Sequence, residues 1–210
     1  MDATLRRHKL LLAIALIFHA VGLGGIAIFQ STLIMRSTPM HLSLMALLLL
    51  VSFAGQLRRF AIWAAITAVV SFWAEWVGVH TGMLFGHYEY GTVLGPRLLD
   101  IPLLIGLNWV VVVAGACSIA ARLKGPAWLQ IIVAAGLATG YDWIMEPVAI
   151  RLHYWTWLSR EIPALNYACW ALFAGLFAGL WQMLRIRGNI FAAGLFVIQL
   201  IFFVLLRTLL

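Results

Sequence analysis

Ala127-Trp-Leu-Gln-Ile-Ile-Val-Ala-Ala-Gly-Leu-Ala-Thr-Gly-Tyr-Asp-Trp-Ile-Met-Glu-Pro-Val-Ala-Ile150 is an apolar run crossed by a stripe of polar side chains. At 24 residues it exceeds the roughly 20 that an α-helix needs to cross bilayer hydrocarbon. Thr139, Asp142 and Glu146 follow one another at helical spacing and so share one face. An ionised carboxylate in hydrocarbon costs roughly 2.5–3.5 kcal/mol on insertion scales, so such residues are rarely idle. The run predicts a membrane helix that carries a functional stripe.

Six further apolar runs surround it, giving segments at about 9–29, 40–56, 60–80, 101–121, 127–150, 163–184 and 189–208. Apolar residues make up 64% of the 210 positions and charged ones 10%, with a mean hydropathy of +1.02. These values exclude a water-soluble domain. The expected fold is all-α: a polytopic transmembrane helical bundle of about seven spans, forming one integral membrane domain over residues 1–210. The first run is longer than the apolar region of a signal peptide and has no clear cleavage site after it, so it is expected to stay as a helix. No repeat points to an array. Cys117 and Cys169, each inside an apolar run, read as packing residues.

The net charge is +7. Its basic residues lie singly or in pairs between apolar runs, the pattern of topology signals rather than of a nucleic-acid partner. Seven spans put Arg6, Arg7, Lys9, Arg58, Arg59, Arg122, Lys124, Arg185 and Arg187 on one side. Arg36, Arg97, Arg151, Arg160 and Arg207 fall on the other. The excess predicts a cytoplasmic N-terminus in the cytoplasmic membrane. The segments 81–100 and 151–162, rich in polar and aromatic residues, then share the non-cytoplasmic side. Loops as long as the first usually line or cover a site. Its Gly82, Gly86, Gly91, Gly95 and Pro96 argue for a capping or re-entrant loop.

Of the seven acids, Glu75, Glu89, Asp100, Asp142, Glu146 and Glu161 gather at that face, and only Asp2 does not. Glu75 lies inside the third span. Burial and mutual repulsion both favour the neutral carboxyl, so at least one of Asp142 and Glu146 is expected to hold a proton. Pro147 frees the carbonyl of Trp143 and predicts a kink beside the carboxylates. Ala134, Ala135, Gly136, Ala138 and Gly140 would let a neighbouring helix approach closely. Glu89 reads either as part of an aromatic cover over a lipid tail or as a solvated loop acid. Asp100 and Glu161 read as helix N-caps. Asn166 shares a face with Trp170, and Asn108 lies beside Trp109. Such amides tie helices together or hold a water molecule. Trp155 and Trp157 look interfacial. Trp73, Trp76, Trp109, Trp143 and Trp170 gain meaning near acids only if a carbocation forms, because ring faces attract positive charge.

Four stretches resemble the carotenoid biosynthesis proteins, the family that includes the carotenoid 1,2-hydratases acting on γ-carotene, lycopene and bisanhydrobacterioruberin. They are Glu75-Trp-Val-Gly-Val-His-Thr-Gly-Met-Leu-Phe-Gly-His-Tyr-Glu-Tyr90, Tyr141-Asp-Trp-Ile-Met-Glu-Pro-Val-Ala149, Tyr154-Trp-Thr-Trp157 and Ile162-Pro-Ala-Leu-Asn-Tyr-Ala-Cys-Trp170. Together they cover the middle half of the chain. Many members carry Asp-Pro where this chain has Glu146-Pro147, which keeps the carboxyl but moves it by a methylene. The resemblance implies addition of water to the terminal isopropylidene double bond of an acyclic carotenoid end, giving a tertiary alcohol. It implies no cofactor and no metal. Asp142 would be the acid, with Glu146 or Glu75 positioning water and Asn166 and Trp143 in support. Trp76, His80, Phe85, Tyr88, Glu89, Trp155 and Trp170 complete the expected substrate contacts. The expected partners are the carotenoid lipid, membrane lipids and other carotenoid-pathway enzymes.

Three rivals differ in kind. An iron-dependent hydroxylase would use His80, His87 and His153, which lack clustered ligand spacing. A carotenoid cyclase shares the first protonation and differs in whether the cation meets water or a ring-forming bond. A proton-coupled transporter also uses intramembrane carboxylates, but commonly with internal repeats and a midplane site. A retinal protein is excluded, since Lys9 and Lys124 both lie outside the last span.

Overall fold

The computed structural model describes residues 3–159 and 161–210. Met1, Asp2 and Arg160 lie outside the described residues, so the last two, counted above among acids and topology charges, have no structural account. Each apolar run forms a helix. The first is α1 (Ala3–Leu23), prolonged by a π-helical turn over Gly24–Ile28. After a single turn, α2 (Thr32–Arg36), come α3 (Thr38–Ser52), α4 (Leu57–Thr81), α5 (Ile105–Ala120), α6 (Ala127–Arg151), α7 (Ala164–Met183) and α8 (Ile190–Leu209). Two antiparallel ribbons add short strands: β1 (Tyr88–Tyr90) with β4 (Trp155–Trp157), and β2 (Arg97–Leu98) with β3 (Ile101–Pro102).

Four helical stretches are long and apolar enough to cross a membrane: Ala3–Ile28, Ala54–Thr81, Ala164–Met183 and Ile190–Leu209. Length and composition alone thus support four of the expected seven spans. α3 and α5 are apolar but have 15 and 16 residues. α6, with 25 residues, is long enough but diluted by its polar stripe. The outward faces of α4, α7 and α8 expose Ile66, Val69, Leu172, Leu176, Ile201 and Val204. A water-soluble monomer rarely shows so continuous an apolar surface.

The centre of the bundle is α5, apolar on all sides and buried in thirteen of its sixteen residues. It packs against α3, α4, α6, α7 and α8. A Cβ on Gly106 would lie 2.7 Å from the Ala68 carbonyl oxygen, and one on Gly115 would lie 2.6 Å from the Phe196 Cβ. Close helix approach thus rests on α5 glycines. Of the α6 group expected to serve it, Ala134, Ala135 and Ala138 pack inward, with Ala135 3.9 Å from where a Cβ on Gly175 of α7 would sit, while Gly136 and Gly140 face open space. α6 runs as one helix from Ala127 to Arg151 with Pro147 inside it. Arg207, in the last turn of α8, reaches the carbonyl of Trp143 at 3.5 Å and sits 4.8 Å above its ring.

The 81–100 segment folds back as a cap. Gly82 ends α4 in the left-handed conformation (φ 66°), donating its N–H to the Gly78 carbonyl. Phe85, Tyr88, Tyr90, Leu94 and Ile101 are buried beneath it. The Phe85 N–H donates to Cys169 Sγ at 3.3 Å, which ties the cap to α7. Gly91 passes so near the next loop that a Cβ would fall 1.8 Å from the His153 carbonyl oxygen. Arg97 donates to the Tyr90 carbonyl at 2.8 Å and to that of Gly91. Asp100 is no N-cap: with Leu99 it makes the two-residue turn between β2 and β3, both at positive φ, and Leu104 begins α5. Nor is Glu161, since Pro163 precedes α7 and no side chain caps it.

Candidate active site

The site grows out of the ribbon between the cap and the α6–α7 connection. Successive side chains in a strand point to opposite faces. In β1, Tyr88 and Tyr90 turn inward and Glu89 outward. In β4, Trp155 and Trp157 turn inward and Thr156 outward. The register pairs Tyr88 with Trp157 and Tyr90 with Trp155, so four hydrogen-bonding aromatics enter the bundle as a block. Below them, α4 brings Glu75, α5 brings Trp109, α6 brings Asp142 and Glu146, and α7 brings Asn166.

The donors are shared unequally, three each to Glu75 and Glu146 and one to Asp142. Glu75 receives three: Oε2 accepts from the Tyr88 hydroxyl and, at 2.7 Å, from that of Tyr90, while Oε1 accepts from Trp109 Nε1 at 3.0 Å. Glu146 Oε2 accepts from both indoles of β4, Trp155 at 3.0 Å and Trp157 at 2.9 Å. Asn166 Nδ2 bridges the pair on α6, donating to Asp142 Oδ2 at 2.7 Å and to Glu146 Oε1 at 3.3 Å. Asp142 has no other hydrogen bond among the described residues. All four polar side chains are buried, none more than 5% exposed. Burial, followed by the neighbouring Glu75 carboxylate, holds the Tyr88 and Tyr90 phenols well above the ordinary tyrosine pKa, so both remain donors.

These groups surround a chamber of about 20 Å³, room for about one water molecule. Phe85, Ile105, Asn108, Met145 and Trp170 complete its lining. Trp170 stacks on Trp109 with ring centres 3.8 Å apart, and the Tyr88 and Trp157 rings lie 5.1 Å apart. The chamber is therefore aromatic above and carboxylic below, and almost all of its lining is buried. Among the described residues no three His, Cys, Asp or Glu side chains group so as to hold a metal ion.

Glu75, Asp142, Glu146, Phe85, Tyr88, Trp155, Asn166 and Trp170 all line this space. Four other expected contacts lie outside it. Glu89 is exposed by strand alternation. Trp143, one residue along the helix from Asp142, is turned out and 54% exposed under Arg207. His80 is exposed at the end of α4, its ring stacked on Trp76 and 3.8 Å from Asp100. Trp76 faces His80 and Trp73 rather than the carboxyls. Trp155 and Trp157, expected at the membrane interface, are buried instead because Glu146 takes both indole N–H groups. Tyr90, Trp109 and Trp157 were not among the expected site residues. Tyr90 and Trp157 lie two residues from the expected Tyr88 and Trp155, in strands too short to read from periodicity, and nothing in the sequence marks Trp109.

Comparison with known proteins gives three findings. No solved structure matches the chain. A protein of Haloarcula japonica named bisanhydrobacterioruberin hydratase is 30% identical over 123 residues, which take in 55% of this chain and 42% of the relative. The chain thus aligns with less than half of that relative's length. A family model described as carotenoid biosynthesis protein matches residues 12–210. With the match running over nearly its whole length, the chain belongs to the carotenoid biosynthesis protein family.

Proposed function

We propose that this protein is a cofactor-independent carotenoid hydratase, adding water to the terminal isopropylidene double bond of an acyclic carotenoid end. The observation that carries the reading is a water-sized chamber bounded by Glu75, Asp142, Glu146 and Asn166 and roofed by aromatic rings. Hydrogen bonds to a carboxylate stabilise its charged form. Glu75 with three donors and Glu146 with three are anions on this count, and Asp142 with one is the carboxylic acid.

Asp142 gives its proton to the less substituted alkene carbon, and the neighbouring carbon becomes a tertiary cation. The carboxylates of Glu146 and Glu75 and the faces of the surrounding rings stabilise that charge. Water in the chamber forms the new C–O bond, and its proton passes to Glu146. Asn166 donates to both carboxyls and holds Glu146 beside Asp142, and the proton returns to Asp142 through water in the chamber. One alkene and one water give one alcohol. A buried acid is a weak one, so stabilisation of the cation supplies much of the rate.

The same reading places seven helices, α1 and α3 to α8, across the cytoplasmic membrane. The N-terminus is then cytoplasmic and the chamber lies toward the opposite face. The test is expression in a bacterial host that accumulates lycopene and related acyclic carotenoids, with pigments separated and weighed by mass spectrometry. A product heavier by one water, labelled when the cells grow in isotopic water, is the expected result. A product of unchanged mass would mark ring closure and overturn hydration.

A further inference from the structure

We propose that the reacting carotenoid end reaches the carboxylates through an apolar cavity between α1, α3 and α8, with Asn108 as the positioning residue in the wall that cavity and chamber share. This inference rests on the hydration reading. A chamber of about 20 Å³ holds water but not a branched alkene end, so the end needs another space beside it. The cavity measures about 520 Å³, within the range of small-molecule sites.

Three features join the two spaces. Asn108 lines both. On α6, Tyr141 lines the cavity and the next residue, Asp142, lines the chamber. At the start of β4, Tyr154 and Trp155 divide in the same way. The cavity and the chamber are therefore neighbours at α5, α6 and β4, with Asn108 common to both. The Asn108 side chain makes no hydrogen bond among the described residues, which leaves its amide able to hold a water against an alkene in the cavity.

The cavity also has a mouth suited to a ligand dissolved in hydrocarbon. Phe18 and Val21 of α1 and Met40 of α3 line it and are 46%, 60% and 76% exposed. They belong to the apolar outer surface of the bundle, so the opening faces lipid rather than the polar cap. Inside, rings share the wall with aliphatic side chains, with His19 edge-on to Phe202 at 5.4 Å and Phe202 edge-on to Phe203 at 5.3 Å. Such walls suit a flat conjugated chain.

Gly22 supplies the test. A Cβ there meets only the Phe202 ring, at 3.5 Å, so a larger side chain grows into the cavity without disturbing the carboxyls. Wild type and variants of the full chain are purified in detergent from the lycopene-accumulating host, and bound polyene is read from visible absorbance alongside product formed. Gly22→Phe is expected to lose bound polyene and product at least tenfold, and Gly22→Ala, whose Cβ meets the Phe202 ring at ordinary contact distance, to lose far less of either. Asp142→Asn keeps bound polyene and forms no product. Asn108→Ala lowers kcat at unchanged KM, and Asn108→Gln restores part of it. Polyene held by wild type and Asp142→Asn but lost from Gly22→Phe supports the cavity even if no alcohol is ever formed, an outcome that sinks only hydration. Wild-type levels of polyene and product in Gly22→Phe, or no polyene bound to wild type, overturn the cavity.

Discussion

The two ends of the bundle handle charge in opposite ways. At the capped end, Glu75, Asp142 and Glu146 are buried, each held by donors from a different part of the fold. At the other end, Arg7, Arg58, Arg59, Arg185 and Arg187 line an open recess of about 970 Å³ whose lining contains no carboxylate. Arg58, Arg59, Arg185 and Arg187 are exposed there. Exposed charges keep their hydration and tolerate change, whereas a buried carboxylate persists only with its hydrogen bonds made. On the proposed reading the acidic end carries the chemistry and the basic end orients the chain in the membrane.

Substitutions at the acidic end are the strongest way to sharpen that contrast. Asp142→Asn keeps the size of the side chain and its place beside Asn166 but removes the proton. Turnover is expected to fall by about 10² to 10⁴, the usual contribution of a general acid, while the melting temperature in detergent moves little. Residual activity near wild type would assign the acid elsewhere. Glu75→Leu leaves the Tyr88, Tyr90 and Trp109 donors buried without their acceptor. At about 1–3 kcal/mol for each unsatisfied group, it is expected to lower stability clearly, and Glu75→Gln less so because one acceptor oxygen remains. Thermal unfolding of the two variants side by side measures the difference.

Gly91→Ala tests the cap rather than the acids. Its Cβ would strike the His153 carbonyl, so the ribbon that carries Tyr90 and Trp155 has to shift. Overpacking of this kind costs about 1–3 kcal/mol, and turnover is expected to fall with stability. The smallest effect belongs to the basic end. Arg58→Gln combined with Arg187→Gln is expected to change stability by no more than about 0.5 kcal/mol and turnover by less than about twofold. A large loss of turnover in that double variant would break the division of labour between the ends.

Much of the architecture was legible because the bilayer limits the choices. Every expected apolar run contains a helix, although α1 begins at Ala3 rather than near residue 9 and α3 ends at Ser52 rather than near residue 56. The three buried acids were singled out because hydrocarbon makes an ionised side chain costly. The donors around them were not legible in the same way. Tyr88 and Trp157 lie on different loops, and only the pairing of β1 with β4 brings them together. Three-residue strands carry too few residues to announce themselves by periodicity. Asp100 sits at a position suited to an N-cap, yet β2 and β3 close a turn on it.

Local pattern thus determined which segments are helical and which face of α6 is polar, because hydropathy and the 3.6-residue period act on neighbours along the chain. Tertiary structure alone decided how many donors each carboxyl receives, that Trp143 faces outward while Trp155 and Trp157 face in, and that Asn108 stands between two cavities. Those outcomes depend on distances between side chains far apart in sequence, and hydrogen bonding falls off too steeply with distance for composition or spacing to stand in for them.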